Sequence, residues 1–179
     1  MTGVGVGGCK SGTGTVDAPA GGWTSPSATD RLRMLRESRT VAVVGASDNP
    51  SRASYFVATY LLASSSYEVW FVNPRLSTIL GRPVYPSLAD LPGRPDIVDV
   101  FRRHDDLPGV LEESIAARAR VFWLQLGLSR DDVARRGTEA GLEVVMNRCL
   151  KIEHARFHGG LHLAGFNTGV ISSRRGAAT

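Results

Sequence analysis

In "TVAVVGASDNPSR" (residues 40–52) an apolar run stops at Gly45, and Ser47, Ser51 and Arg52 come after it. Two hydroxyls and a guanidinium are donors suited to phosphate oxygens, because arginine keeps its charge and presents a planar fork of N–H groups. Gly45 permits a tight turn without side-chain crowding. A helix starting near Ser51 would add unpaired backbone N–H groups and a positive dipole end. The second and third glycines of a dinucleotide fingerprint are missing; Ser47, Asn-Pro and Arg52 stand there instead.

The next donors come after "YEVWFV", in Asn73, Pro74 and Arg75. A dinucleotide site that prefers NAD wants a carboxylate there to hold the ribose 2′-hydroxyl. Arg75 suits a phosphorylated ribose instead, as in NADP or the 3′-phospho-ADP of coenzyme A. Candidates for bond-making chemistry are sparser. Cys149 comes after Arg148, whose charge would favour a thiolate, and His154 lies five residues on. Cys149, at a strand end, more simply packs. His104 and Asp105 read as a helix start. His158 and His162 have the i, i+4 spacing of metal ligands, but Gly159 and Gly160 between them disfavour a helix. No catalytic or metal residue is assigned.

The elements that must position these groups alternate along the chain. Runs at 41–44, 67–74, 96–102, 120–127 and 142–147 read as strands covered on both faces. Between them, Ala53, Phe56, Val57, Tyr60 and Leu61 form one helical stripe, and Leu107, Val110, Leu111 and Ile115 another. "SATDRLRML" predicts a leading helix capped by Thr29 or Asp30. Ser129 with Asp132 three residues on predicts a capping box for the last crossover helix. The prolines of "LGRPVYPSLADLP" suggest turns around a short helix at 87–91. Strand–helix alternation implies βαβ units with right-handed crossovers. The expected fold is an α/β, Rossmann-like doubly wound sheet of about five parallel strands with helices on both faces. Ligands on such sheets sit beyond the carboxyl ends of the strands. Those ends are "GASDNPSR", "NPRL", "FRRHD", "QLGLS" and "NRCLK", which can all face one crevice.

Composition bounds the rest. The 179 residues, 42% apolar and 21% charged, suit one soluble domain. The net charge of +4 comes almost wholly from arginine, but no basic block or aromatic ladder points to nucleic acid. Two cysteines exclude a disulfide framework and fit a reducing cytoplasm. No apolar run reaches membrane-spanning length, and no signal-peptide segment is readable. Residues 1–24 read as a flexible glycine-rich tail whose "GVGVGG" lacks the strand and helix of a phosphate loop. Residues 25–155 read as the folded domain. Residues 156–179 read as an arm packing on the body or on a second subunit, which would make a homodimer.

Taken in order, "GAS..P.R", "VNP", "ILG...Y.SL.D.P" and "VDVF", with "NRCLKIEH" beyond, resemble the CoA-binding-domain family of small bacterial proteins. That family is related to the CoA-binding domains of the succinyl-CoA synthetase α subunit and of ADP-forming acyl-CoA synthetases. The resemblance covers roughly residues 30–155. It implies a cytoplasmic, Rossmann-like module holding coenzyme A or an acyl-CoA by its 3′-phospho-ADP end. Gly45, Ala46, Ser47 and Arg52, with Ser51 at the helix start, would line the diphosphate loop. Asn73, Pro74 and Arg75 would border the ribose and its 3′-phosphate. Phe101 and Arg102 would flank the adenine or pantetheine path, and Gln125 and Gly127 would shape the next loop. The synthetases also need a phosphohistidine ligase domain and an ATP-grasp partner, for which this chain is too short. The expectation is a non-catalytic binding protein, with a protein partner in acyl-CoA metabolism compatible with it. The alternative is an NADP-dependent oxidoreductase using the charge of Arg75.

Overall fold

A computed structural model describes residues 23–158. The tail and arm read at the two ends of the sequence fall largely outside the described residues. Seven strands form one sheet: β1 (Thr40–Val44), β2 (Glu68–Val72), β3 (Thr78–Ile79), β4 (Arg82–Tyr85), β5 (Ile97–Val100), β6 (Val121–Leu124) and β7 (Glu143–Val145), in the order β3-β4-β2-β1-β5-β6-β7. Every pairing is parallel except the short β3–β4 hairpin. The five expected strands are present, and β3 and β4 add to them, where the prolines suggest only turns. Pro83 is accommodated because β4 meets β2 through only two residues, near the sheet edge, where a missing N–H costs little.

Five helices cover the sheet: α1 (Ala28–Glu37), α2 (Ala53–Ser64), α3 (Leu107–Ala116), α4 (Asp131–Glu139) and α5 (Leu150–His158). Strand residues alternate between two apolar layers. Val41, Val43, Phe71, Ile97, Val121 and Trp123 meet residues of α1, α2 and α5 on one face. Ala42, Val44, Val98, Val100, Phe122 and Leu124 meet residues of α3 and α4 on the other. Burial on both faces accounts for the near-continuous β-branched runs.

Several local expectations change. Helix α1 is capped earlier than read: Ser27 accepts from the Asp30 amide at 3.1 Å, and Asp30 reciprocates in a capping box. The Ser129–Asp132 box does not form. Arg130 occupies the N-cap, and Asp132 is drawn to its guanidinium at 2.5 Å. On α2 the buried face is Ser54, Val57, Ala58 and Leu61, so the small residues lie toward the sheet and Phe56 swings outward. Helix α5 runs through the boundary drawn at 155. A buried Arg31–Glu153 ion pair at 2.8 Å ties it to α1. Trp23, read as the end of the tail, donates its indole N–H to the Val144 carbonyl at 3.2 Å.

Candidate functional site

The loop after β1 is built so that the backbone of α2 starts open. Gly45 has φ +82°, and a Cβ there would collide with the Phe101 carbonyl oxygen, so this turn requires glycine twice over. The neighbouring strands hold it in place: the Gly45 amide donates to the Val72 carbonyl at 2.9 Å, and the Phe101 amide to the Val44 carbonyl at 2.8 Å. Ser47 accepts from the Asn49 amide at 3.1 Å, and the Asn49 side chain accepts from the Ser51 amide at 2.9 Å. These two short turns deliver the chain to Arg52 at the N-cap of α2, where no side chain caps the helix. An uncapped helix start offers its amides to an anion.

The loop opens onto a crevice of about 600 Å³ beyond the carboxyl ends of β1, β5 and β6. That volume falls within the usual range of small-molecule sites. Gly45, Ala46, Ser47, Arg52, Asn73, Phe101, Arg102 and Gln125, eight of the residues assigned from the sequence, line it. The remaining four assigned residues are not in the lining. Ser51 is spent in the turn, and Pro74 and Arg75 are exposed beyond the rim. Gly127, also exposed, receives the Asn147 side chain at its amide and pairs its carbonyl with His104 Nε2 at 2.9 Å. Asn73 acts as a brace: its amide donates to the Ala46 carbonyl at 2.7 Å, and its oxygen accepts from the Arg75 amide at 2.9 Å.

Cys149, read at a strand end facing the crevice, is in the lining, which also contains Phe56, Leu126, Leu128, Lys151 and Ile152, none of them assigned as a site residue from the sequence. In the sequence, Lys151 only closes the strand-end segment "NRCLK", with Ile152 directly after it. Their direction depends on where α5 begins, one residue after Cys149. The lining therefore carries three cations, Arg52, Arg102 and Lys151, and no carboxylate. Arg102 is paired with Asp106 at 3.4 Å, whereas Arg52 and Lys151 form no ion pair among the described residues. The Lys151 ammonium instead lies 3.6 Å from the centre of the Phe56 ring.

One acid lies just behind the lining. Asp99, fully buried on β5, accepts from Gln125 Nε2 at 2.6 Å through one oxygen, and its other oxygen has no partner among the described residues. Burial pushes its carboxyl up to about 8, so it is neutral at pH 7 and does not oppose an anion in the crevice. The Cys149 thiol is also pushed up, chiefly by burial, which runs against the expectation that Arg148 favours a thiolate. His154 is buried beside Tyr60, with Nδ1 at 3.0 Å from the phenol oxygen, and stacks on His158. Burial and the His158 charge lower it to about 4, which keeps it neutral and structural.

The similarities of the chain agree with this geometry. A family model described as a CoA binding domain matches residues 39–155. The uncharacterized protein YneT of Bacillus subtilis (strain 168) is 40% identical over 131 residues, which span 73% of this chain and 96% of YneT. A hypothetical protein from Pyrococcus horikoshii OT3 superposes with a TM-score of 0.72 at 35% identity, covering 75% of this chain and 94% of that one. The dinucleotide forming acetyl-coenzyme A synthetase 1 of Ca. Korarchaeum cryptofilum, solved with phosphate and ADP, superposes with a TM-score of 0.55 at 25% identity. The match covers 64% of this chain and 26% of the synthetase, so it concerns one part of a larger protein. With its strands and its whole crevice lining inside the matched span, the chain belongs to the CoA-binding domain family.

Proposed function

We propose that this protein is a cytoplasmic, non-catalytic carrier or sensor that holds coenzyme A or an acyl-CoA by the 3′-phospho-ADP moiety. One observation carries the reading: Arg52, Arg102 and Lys151 converge with an uncapped helix start on a crevice whose lining has no carboxylate. In this reading the diphosphate lies against the start of α2, within reach of Arg52. The adenosine borders Asn73, and its 3′-phosphate faces outward toward Pro74 and Arg75. The pantetheine arm passes Phe101 and Gln125 toward Cys149. Family membership supports the ligand class, and the cation set fits its charge. Among the described residues, burial pushes the Cys149 thiol up and His154 is hydrogen-bonded to Tyr60, which supports the non-catalytic reading.

The test is calorimetric titration with CoA, dephospho-CoA, NADPH and NADH. CoA is expected to bind, dephospho-CoA to bind more weakly, and the nicotinamide cofactors not to bind. In thermal unfolding, a ligand at a hundredfold excess over its Kd should add about 2.7 kcal/mol of apparent stability. A response to NADPH without one to CoA would replace this reading with an NADP-dependent oxidoreductase.

A further inference from the structure

Among the described residues the large hydrophobic side chains that stand exposed are Phe56 (61%), Leu80 (36%) and Leu126 (44%). Single exposed hydrophobics need no explanation. Two of these three, however, line the same crevice, where Leu128 and Ile152 join them. The crevice is thus divided along the sheet. Most of its polar and cationic residues, Asn73, Ser47, Arg52 and Arg102, come from the loops after β2, β1 and β5, and Gln125 and Lys151 add polar atoms on the side of β6 and α5. Of its apolar residues, Leu126 and Leu128 come from the loop after β6 and Ile152 from α5, with the Phe56 ring of α2 under the Lys151 ammonium at 3.6 Å, while Ala46, Val57 and Phe101 belong to the β1–α2 and β5 segments. Cys149, at the start of α5, belongs to the apolar half.

From this division we infer that the crevice is built for an acyl thioester of coenzyme A, its aliphatic acyl group lying on Phe56, Leu126, Leu128 and Ile152. The inference rests on the coenzyme A reading above. Charge complementarity orients the ligand: a phosphorylated head bound at the cationic half leaves its thioester end at the apolar half. Free coenzyme A ends in a thiol, which has no surface to cover four apolar side chains. An acyl chain removes them from water, and each methylene fully buried is worth about fourfold in affinity. The Lys151 stem can cover the Phe56 ring in the meantime, its charge resting over the ring face.

The test is a titration series with CoA, acetyl-, butyryl-, hexanoyl- and octanoyl-CoA. Affinity is expected to rise along the series, with octanoyl-CoA at least about tenfold tighter than CoA. Phe56→Ser with Leu126→Ser should flatten the series, while Leu80→Asn, changed outside the crevice, should leave it steep. Equal affinity for CoA and octanoyl-CoA in the unmodified protein overturns the inference and leaves the coenzyme A reading standing. Absence of binding by every member removes the coenzyme A reading itself. A flat series, together with a dimer that the Phe56/Leu126 double variant dissociates in sedimentation, would show that the patch is a subunit contact and would also overturn the inference.

Discussion

The two ends of the sheet treat arginine differently. Near the amino ends of the strands, two arginines are held by acids: Arg33 pairs with Glu37 and Glu143, and Arg120 pairs with Glu37 at 2.7 Å. Asp96 is likewise satisfied there by the Arg39 and Thr40 amides, which help hold its carboxyl below the usual range despite its partial burial. At the carboxyl ends Arg102 keeps an acid partner in Asp106 at 3.4 Å, whereas Arg52 and Lys151 form no ion pair among the described residues, and burial pushes the Asp99 carboxyl behind the crevice up to about 8. Arg33 and Arg120 are thus tied into the fold, whereas Arg52 and Lys151 are left without an acid at the crevice. The net charge of +4 says nothing about this asymmetry, which only the folded arrangement reveals.

Breaking the carboxyl end at its tightest point should have the largest effect. Gly45→Ala forces a Cβ into the Phe101 carbonyl at a positive φ, and it should cost about 2–4 kcal/mol in urea unfolding and abolish CoA binding. Gly127→Ala shares the positive φ but meets open space, and it should cost only about 1 kcal/mol. Removing one unmatched cation comes next. Arg52→Ala should weaken CoA binding about 10–100-fold by calorimetry with little change in Tm, since only a charged hydrogen bond to ligand is lost. Arg33→Ala, at a residue tied to Glu37 and Glu143, should leave CoA affinity unchanged and move the Tm little. Equal losses of binding in the two arginine variants would erase the distinction between the ends.

The buried acid sharpens the comparison through pH. The Asp99 pKa is raised on folding, so the folded state keeps a proton that the unfolded chain releases above about 4. Its contribution is fully present below that pH and declines as pH rises toward 8. Asp99→Asn should therefore gain about 1–2 kcal/mol on the parent protein by pH 8 and flatten the stability profile between pH 4 and 8. A profile unchanged by the substitution would mean that Asp99 is ionised in the fold.

The smallest effect is kinetic. In exchange with CoA disulfide, the Cys149 thiolate would attack one sulfur, forming a protein–CoA disulfide and expelling one CoA thiolate. Because the thiol is pushed up, adduct formation should be slow at pH 7 and rise about tenfold per pH unit below its pKa. Intact mass spectrometry and peptide mapping should place the adduct at Cys149, and Cys149→Ser should not acquire it there. A rate independent of pH, or no adduct at Cys149 at pH 9, would contradict this.

The sequence made the doubly wound core legible because β1, β5 and β6 are buried on both faces, and such strands write themselves as β-branched runs. It concealed β4, where Pro83 and Pro86 carry the signature of turns although Val84 pairs with Phe71. Eight of the twelve assigned crevice residues line the crevice because loop positions after parallel strands converge by topology alone. Arg75 and Lys151 reverse the expected order for a different reason. The direction of a long cation depends on helix phase and loop path, which no local pattern carries. The apolar stripe misplaces Phe56 for the same reason: Ser54 and Ala58, being small, let α2 approach the sheet on their side instead.

The central claim is that coenzyme A fills the crevice at the carboxyl ends of β1, β5 and β6. A crystal structure of the protein grown with CoA tests it most directly. We predict the diphosphate against the first turn of α2 within hydrogen-bond reach of Arg52, and the sulfur end beside Cys149. Coenzyme A bound elsewhere, or absent from a crevice that stays closed by the protein's own side chains, would contradict the account.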